Sequence, residues 1–234
     1  MFLSDIFEQL TQGELSQLYV GKVDEQGIQV CDYPKIVPHV NLAVTELHKR
    51  FLLKSGEVVV QQYDQIQRYY LKSKYAQTNL ESDEPIKYIM DSPYQPFEDD
   101  VLRIEKVINE LGEELFINDQ TEYWTINTPS FNSIQVPYPE KENQMIITYR
   151  ANAPKILIPN LVPEEQEVDI PSYLLEPLLF YVGSRAFGSM NSDNNAEGNN
   201  YVAKFEKSCL KISELGLDNE DNTANVRLDS AGWV

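Results

Sequence analysis

His39 and His48 are the two histidines of the chain, and imidazole is the side chain best suited to moving protons or binding transition metals near neutral pH. They stand nine residues apart in a segment with helical periodicity. At about 100° per residue, that spacing turns them to opposite sides of a helix. One helix therefore cannot bring them to a common metal or catalytic centre, and surface or boundary positions are expected for both. No GxSxG, HExxH, GxGxxG or Walker A pattern occurs. Nucleophile-elbow, zincin, dinucleotide and P-loop chemistries thus have no anchor in the sequence.

Carboxylates are abundant, with the runs "EDD" at 98–100 and "EEQEVD" at 164–169. Hard cations take carboxylate oxygens, but neither run has the spacing of an EF-hand loop, and acidic loops ordinarily keep a surface hydrated. Carboxylate pairs for glycoside hydrolysis can be drawn almost anywhere in so acidic a chain, so they discriminate nothing. Cys31 and Cys209 have no CxxC companion and read as two reduced, buried thiols. No catalytic residue, no metal and no cofactor is expected.

Aromatic residues offer a different chemistry. "YYLKSKY" sets Tyr69, Tyr70 and Tyr75 beside Lys72 and Lys74, with Arg68 just before. Such a stretch can stack the bases of single-stranded nucleic acid. Tyrosines borne on strands more often pack across the sheet or form a protein interface, and for Tyr69, Tyr70 and Tyr75 packing or a protein interface is favoured over nucleic acid. Tyr123 and Trp124 raise an alternative of another class, a carbohydrate-binding or glycan-hydrolysing module that stacks sugars on aromatic rings beside carboxylates.

The formal net charge is −18, from 37 acidic and 19 basic residues among 234. That balance disfavours tight binding to phosphate backbones or anionic lipid, both of which need clustered cations. It suits a surface past which DNA slides. "MFLSDIFEQL" lacks a basic leader region, and no apolar run approaches the roughly 18 residues of a membrane span, so a cytosol-like compartment is expected.

These residues must be carried by elements. "SDIFEQLTQGELSQL" predicts a short first helix with Ser4 or Asp5 as N-cap and Asp5 and Glu8 at capping-box spacing. "PKIVPHVNLAVTELHKRF" predicts a second, with Val37, Val40, Val44, Leu47 and Phe51 on one face. From Glu57 the period shortens, and "EVVVQQY", "QIQRYYL", "IKYIM", "YWTINTP", "SIQVPYP" and "MIITYRA" predict short, mostly antiparallel strands. Residues 101–118 fit both a helix and a strand entering a hairpin at Gly112; the hairpin is preferred because its neighbours are strands.

"DIPSYLLEPLLFYVGSRAFGSM" at 169–190 is apolar over most of its circumference, with Pro177 as a kink or first-turn marker. A polar loop at 188–200 leads to a last helix over 201–215 that ends at Gly216. The fold class expected is α+β: a helical bundle from residues 1–56 and 157–216, an inserted β lobe at 57–156, and an extended C-terminal tail at 217–234.

"ELSQLYVG", "KIVPHVNLAVTELHKRF", "YWTINTPSFNSIQVPYPE", "ITYRANAPKI", "IPSYLLEPLLFYVGSRAF" and the terminal "GWV", in that order, resemble the head-to-tail adaptor proteins of tailed bacteriophages. That class includes the tail tubular or connector component of short-tailed phages. The likeness runs from Ser4 to Val234 and rests on the order and character of segments, with no catalytic signature.

The resemblance implies a structural, non-enzymatic virion protein at the head–tail interface, made in the host bacterial cytoplasm. It implies a homo-oligomeric ring, usually dodecameric, beneath the portal protein, presenting a platform to the next nozzle or tube protein. DNA would pass only in transit through an acidic lumen, and no membrane would be involved. Gly232, Trp233 and Val234 would be the portal-docking end of the tail. Tyr173, Phe180, Tyr181, Gly183, Ser184 and Phe187 would meet the next subunit, and Tyr69, Tyr70 and Tyr75 a tail partner.

Overall fold

The computed structural model describes residues 1–16, 28–141, 143–188 and 195–217. The protein is α+β, with helices and antiparallel sheets in two compact units. One unit comprises Met1–Leu52 with Ala153–Val234, the other Leu53–Asn152. Beyond Leu217 the proposed C-terminal tail, including Gly232, Trp233 and Val234, lies outside the described residues.

In the first unit, α1 (Leu3–Gln12) buries Leu3, Ile6, Phe7 and Leu10, the i, i+3, i+4, i+7 stripe of an amphipathic helix. It starts earlier than its polar residues suggest. Phe2 occupies the N-cap, and Asp5, at the third helical position, reaches back to accept a hydrogen bond from the Phe2 amide at 3.2 Å. A phenylalanine cannot return the bond, so half of a capping box is formed. Backbone carbonyls supply the rest: the Leu3 amide donates to Gln166 at 2.9 Å and the Ser4 amide to Pro163 at 3.1 Å. The connector at 163–168 therefore does what a Ser4 or Asp5 cap was expected to do.

Helix α2 (Tyr33–Arg50) has Pro34 in its first turn and a second proline, Pro38, within it. It buries Ile36, Val37, Val40, Ala43, Val44 and Leu47. After a 3₁₀ turn at Ser172–Leu174, α3 (Leu175–Gly188) carries Pro177 in its first turn, where the missing N–H costs nothing. It packs against α1, α2 and α4 (Asn195–Glu214). That contact set accounts for its apolar circumference.

Helix α4 begins six residues before the expected 201, in what reads as a loop. Gly198 permits this: a Cβ there would sit 3.4 Å from the Gly188 amide nitrogen and 3.5 Å from the Ser184 carbonyl, so the two backbones come close. At the other end Gly216, with φ +63, closes α4. The Leu217 amide donates to Ile212 at 3.3 Å and the Gly216 amide to Ser213 at 2.9 Å, the paired bonds of a Schellman motif.

The second unit holds two antiparallel sheets. In the first, β1 (Ser55–Gln61) and β7 (Gln144–Ala151) are central, flanked by β3 (Ile89–Met90) and β4 (Val101–Asn109). The second has the order β2–β6–β5, from Arg68–Tyr70, Ser133–Gln135 and Asn127–Ser130. Val58 and Val60 on β1 and Met145, Ile147 and Tyr149 on β7 share a core with Tyr69 and Ile134 of the second sheet. Strand β4 buries Val101, Ile104 and Val107, a period of three. Register shifts between Val101 and Arg103 and between Ile104 and Lys106 produce it. A strand with two such irregularities mimics helical spacing, which is why 101–118 fits both patterns. The hairpin at Gly112 forms, with φ +82 and with Asn109 Oδ1 accepting bonds from the Leu111 and Glu113 amides at 3.0 and 2.8 Å.

Candidate interaction surfaces

The histidines part company. His39 is half-buried, and its imidazole is pushed below its ordinary pKa by burial and then by the positive charge of Arg185. His48 is fully buried, contrary to the expected surface or boundary position. The cause is its register on α2, one step beyond the buried Leu47. Cys31 is likewise exposed and Cys209 buried, so the pair of buried thiols is corrected to one. Burial pushes the Cys209 thiol up to about 11, outweighing the opposing influence of Arg50.

The acidic run at 98–100 is used internally. Asp99 accepts bonds from the Ser73 amide and hydroxyl, each at 2.7 Å. Asp100 accepts from the Tyr149 hydroxyl at 3.1 Å and pairs with Lys54 at 3.2 Å. Both carboxylates pin loops of the β unit.

Tyr69 is not a surface residue. Its side chain is fully buried, because β2 turns Tyr69 inward and its neighbours Arg68 and Tyr70 outward. The Tyr69 hydroxyl accepts from the Tyr63 amide at 2.8 Å and donates to the Tyr63 carbonyl at 3.2 Å. Tyr88 does the same for Tyr70, at 2.8 and 3.0 Å. Each phenol thus satisfies a backbone amide and shares the same residue's carbonyl with a second donor, the Ile66 amide at Tyr63 and the Lys72 amide at Tyr70. Tyr70 and Tyr75 keep part of their surface. The Tyr75 ring stacks on Tyr88 at 4.7 Å, and Lys74 sits 4.5 Å from its centre while pairing with Glu84.

On α3, Gly183 and Phe187 are buried within their own unit. A Cβ on Gly183 would lie 3.3 Å from the Tyr201 ring and 3.4 Å from Glu14, while the Phe187 ring stacks on Tyr201 at 5.4 Å. Tyr181 meets Phe205 edge to face at 5.2 Å. Tyr173, Phe180, Tyr181 and Ser184 retain accessible surface.

Among the described residues, the β unit carries an exposed aromatic cluster. Tyr123, Trp124 and Tyr138 are 72%, 64% and 49% exposed, yet they are in mutual contact. Tyr123 and Trp124 meet at 89° with centroids 5.6 Å apart, Trp124 and Tyr138 at 61° and 4.8 Å, and Tyr123 and Tyr138 stack at 28° and 5.7 Å. The Tyr123 and Tyr138 hydroxyls are hydrogen-bonded to each other. That bond is the main cause of the raised Tyr138 pKa.

The loop beneath the rings is closed by side chains. Asp119 Oδ1 accepts from the Thr121 amide at 2.8 Å, and Thr125 Oγ1 accepts from the Asp119 amide at 3.0 Å. Asn118, at φ +55, accepts from the Thr128 amide at 2.9 Å, and Tyr138 lies between Pro137 and Pro139. Tyr123 and Trp124 stand out as neighbours in the sequence, whereas Tyr138, 14 residues beyond Trp124, does not. No local pattern links the two segments.

Among the described residues, no helix is long and apolar enough to cross a membrane. No protein-family model matches the chain, and comparison with curated proteins finds no match.

Proposed function

We propose that this chain is a structural, non-enzymatic virion component: a head-to-tail adaptor that assembles as a ring, twelve-fold as its resemblance implies, beneath the portal of a tailed phage. The observation that carries this reading is the discontinuous helical unit. Helices from both ends of the chain meet on α3, and residues Leu53–Asn152 form a unit of their own. That division suits a protein with one surface for copies of itself and another for a different partner. In this reading the helices form a bundle, and the bundle builds the ring through the accessible Tyr173, Phe180, Tyr181 and Ser184. The extended tail ending in Gly232, Trp233 and Val234 docks into the portal, and the β unit meets the next tail protein. The charge of −18 supports a channel that repels DNA phosphates during transit.

Native mass spectrometry of the protein, alone and mixed with portal rings of the same virus, tests the reading. Copies bound in a multiple that matches the portal symmetry are expected. Portal rings that remain bare at micromolar protein would overturn it. The alternative reading, a carbohydrate-binding tail module, requires a glycan-array signal that depends on Tyr123 and Trp124.

A further inference from the structure

The triad of Tyr123, Trp124 and Tyr138 is the part of the molecule whose surface is hardest to explain by folding alone. An indole and two phenols pack against one another while about half or more of each stays exposed to water. Large rigid aromatic side chains of this kind are the usual anchors of protein interfaces. The remaining matter is the chemistry of what covers them.

The flanking sequence is acidic. Between 107 and 149 the chain has seven acidic residues and one basic residue, Lys141. Glu122 adjoins Tyr123 in sequence and Glu140 follows two residues after Tyr138, and both are exposed. Aromatic faces attract cations, and a guanidinium can stack on a ring while its edge donates to a carboxylate. An aromatic cluster with exposed carboxylates close to it in sequence is thus complementary to arginine on two counts.

The geometry argues against the other occupants. A sugar chain lies flat across coplanar rings, whereas these rings are inclined at 89° and 61° to the central indole. The two phenol hydroxyls that would grip a sugar are bonded to each other. A nucleic acid strand would find rings to stack on, but its phosphates would face the carboxylates. The rings also touch one another, so no cage for a free ammonium ion opens between them.

We propose that Tyr123, Trp124 and Tyr138 form a docking platform for a protein partner that presents arginine side chains, with Glu122 and Glu140 pairing the guanidinium groups at its edge. The inference stands on the β unit alone and is independent of ring formation by the helical unit.

The chain has two tryptophans, so Trp233→Phe in the full-length protein leaves Trp124 as the only one and makes its fluorescence a reporter of the platform. The probes are a 12-residue peptide of alternating arginine and glycine, the same peptide with citrulline for arginine, and neutral glucose and N-acetylglucosamine hexamers. The arginine peptide is expected to change Trp124 emission saturably, with the citrulline peptide about tenfold weaker. Tyr123→Ala with Tyr138→Ala should weaken the arginine peptide by a similar factor. Glu164→Gln with Glu165→Gln, in the other unit, should leave it unchanged. Circular dichroism checks that each variant is folded, and calorimetry with Trp124→Ala supplies a readout without the reporter. Equal binding by the Tyr123/Tyr138 variant would mean unspecific attraction to an acidic protein and would overturn the proposal. Saturation by either hexamer in place of the peptide, or no response to any probe at low salt, would also overturn it.

Discussion

Arg50, at the C-terminal end of α2, grips Glu206 on α4 through two parallel hydrogen bonds of 2.7 and 2.5 Å. Its guanidinium also lies 4.8 Å from the centre of the Phe205 ring. One side chain thus ties two helices by charge and by stacking. The bond from Arg50 is the main cause holding the Glu206 carboxyl below its ordinary value. A depressed carboxylate pKa stabilises the fold above the unfolded value, about 4.3, and the benefit disappears as pH falls through the folded value. Because both side chains keep partial solvent access, the pair should contribute about 0.5–1 kcal/mol at neutral pH. Glu206→Gln should therefore lower the denaturation midpoint at pH 7, and the gap from wild type should close in acid. A gap that is constant from pH 7 to pH 3 would show that the ion pair contributes nothing.

Gly56 makes room for Tyr149. A Cβ at position 56 would lie 2.4 Å from the Tyr149 ring, which is buried and tethered to Asp100. Gly56→Ala should cost about 1–3 kcal/mol through overpacking. Much of that cost should vanish in a Tyr149→Val background, so urea denaturation of the four proteins in the cycle should reveal strong coupling. Additive effects would place the strain elsewhere.

The buried phenols predict an asymmetry between conservative changes. Tyr69→Phe removes the acceptor of the Tyr63 amide and should cost about 1–3 kcal/mol as that amide loses its partner, while the Tyr63 carbonyl keeps the Ile66 amide at 2.9 Å. Tyr94→Phe, on a side chain 97% exposed, should be neutral. Thermal melts of the two variants separate them directly.

Leu178 is fully buried on α3. Leu178→Asp would place an unpaired carboxylate among apolar side chains and should unfold the helical unit, visible as lost ellipticity at 222 nm. A soluble variant with full helicity would show that this face is not core.

Native thiol labelling should modify one cysteine. Cys31 is exposed, whereas Cys209 is buried and its thiol is held protonated at neutral pH. Mass spectrometry of a chain alkylated at pH 7.5 should find the label on Cys31, and both sites should react in denaturant.

Helices and strands were legible in the sequence wherever periodicity is a local property. Ile6 and Leu10 mark one helix, Val37, Val40, Val44 and Leu47 another, and Met145, Ile147 and Tyr149 a strand. The same holds for Gly216 as a helix stop and Gly112 as a turn, since each needs a left-handed residue that glycine supplies without strain. Tertiary contacts decided what local pattern left open. Carbonyls from 163–166 set the start of α1, and the approach of Gly198 to Gly188 lengthened α4. The register shifts in β4 hid its period, and strand direction sent Tyr69 into the core. The aromatic platform is the plainest case. Tyr123 and Trp124 were visible as aromatic residues, but their union with Tyr138 depends on loop closure around Asn118 and Asp119. Periodicity reports which face of an element is buried; it has no term for which distant segments a fold brings together.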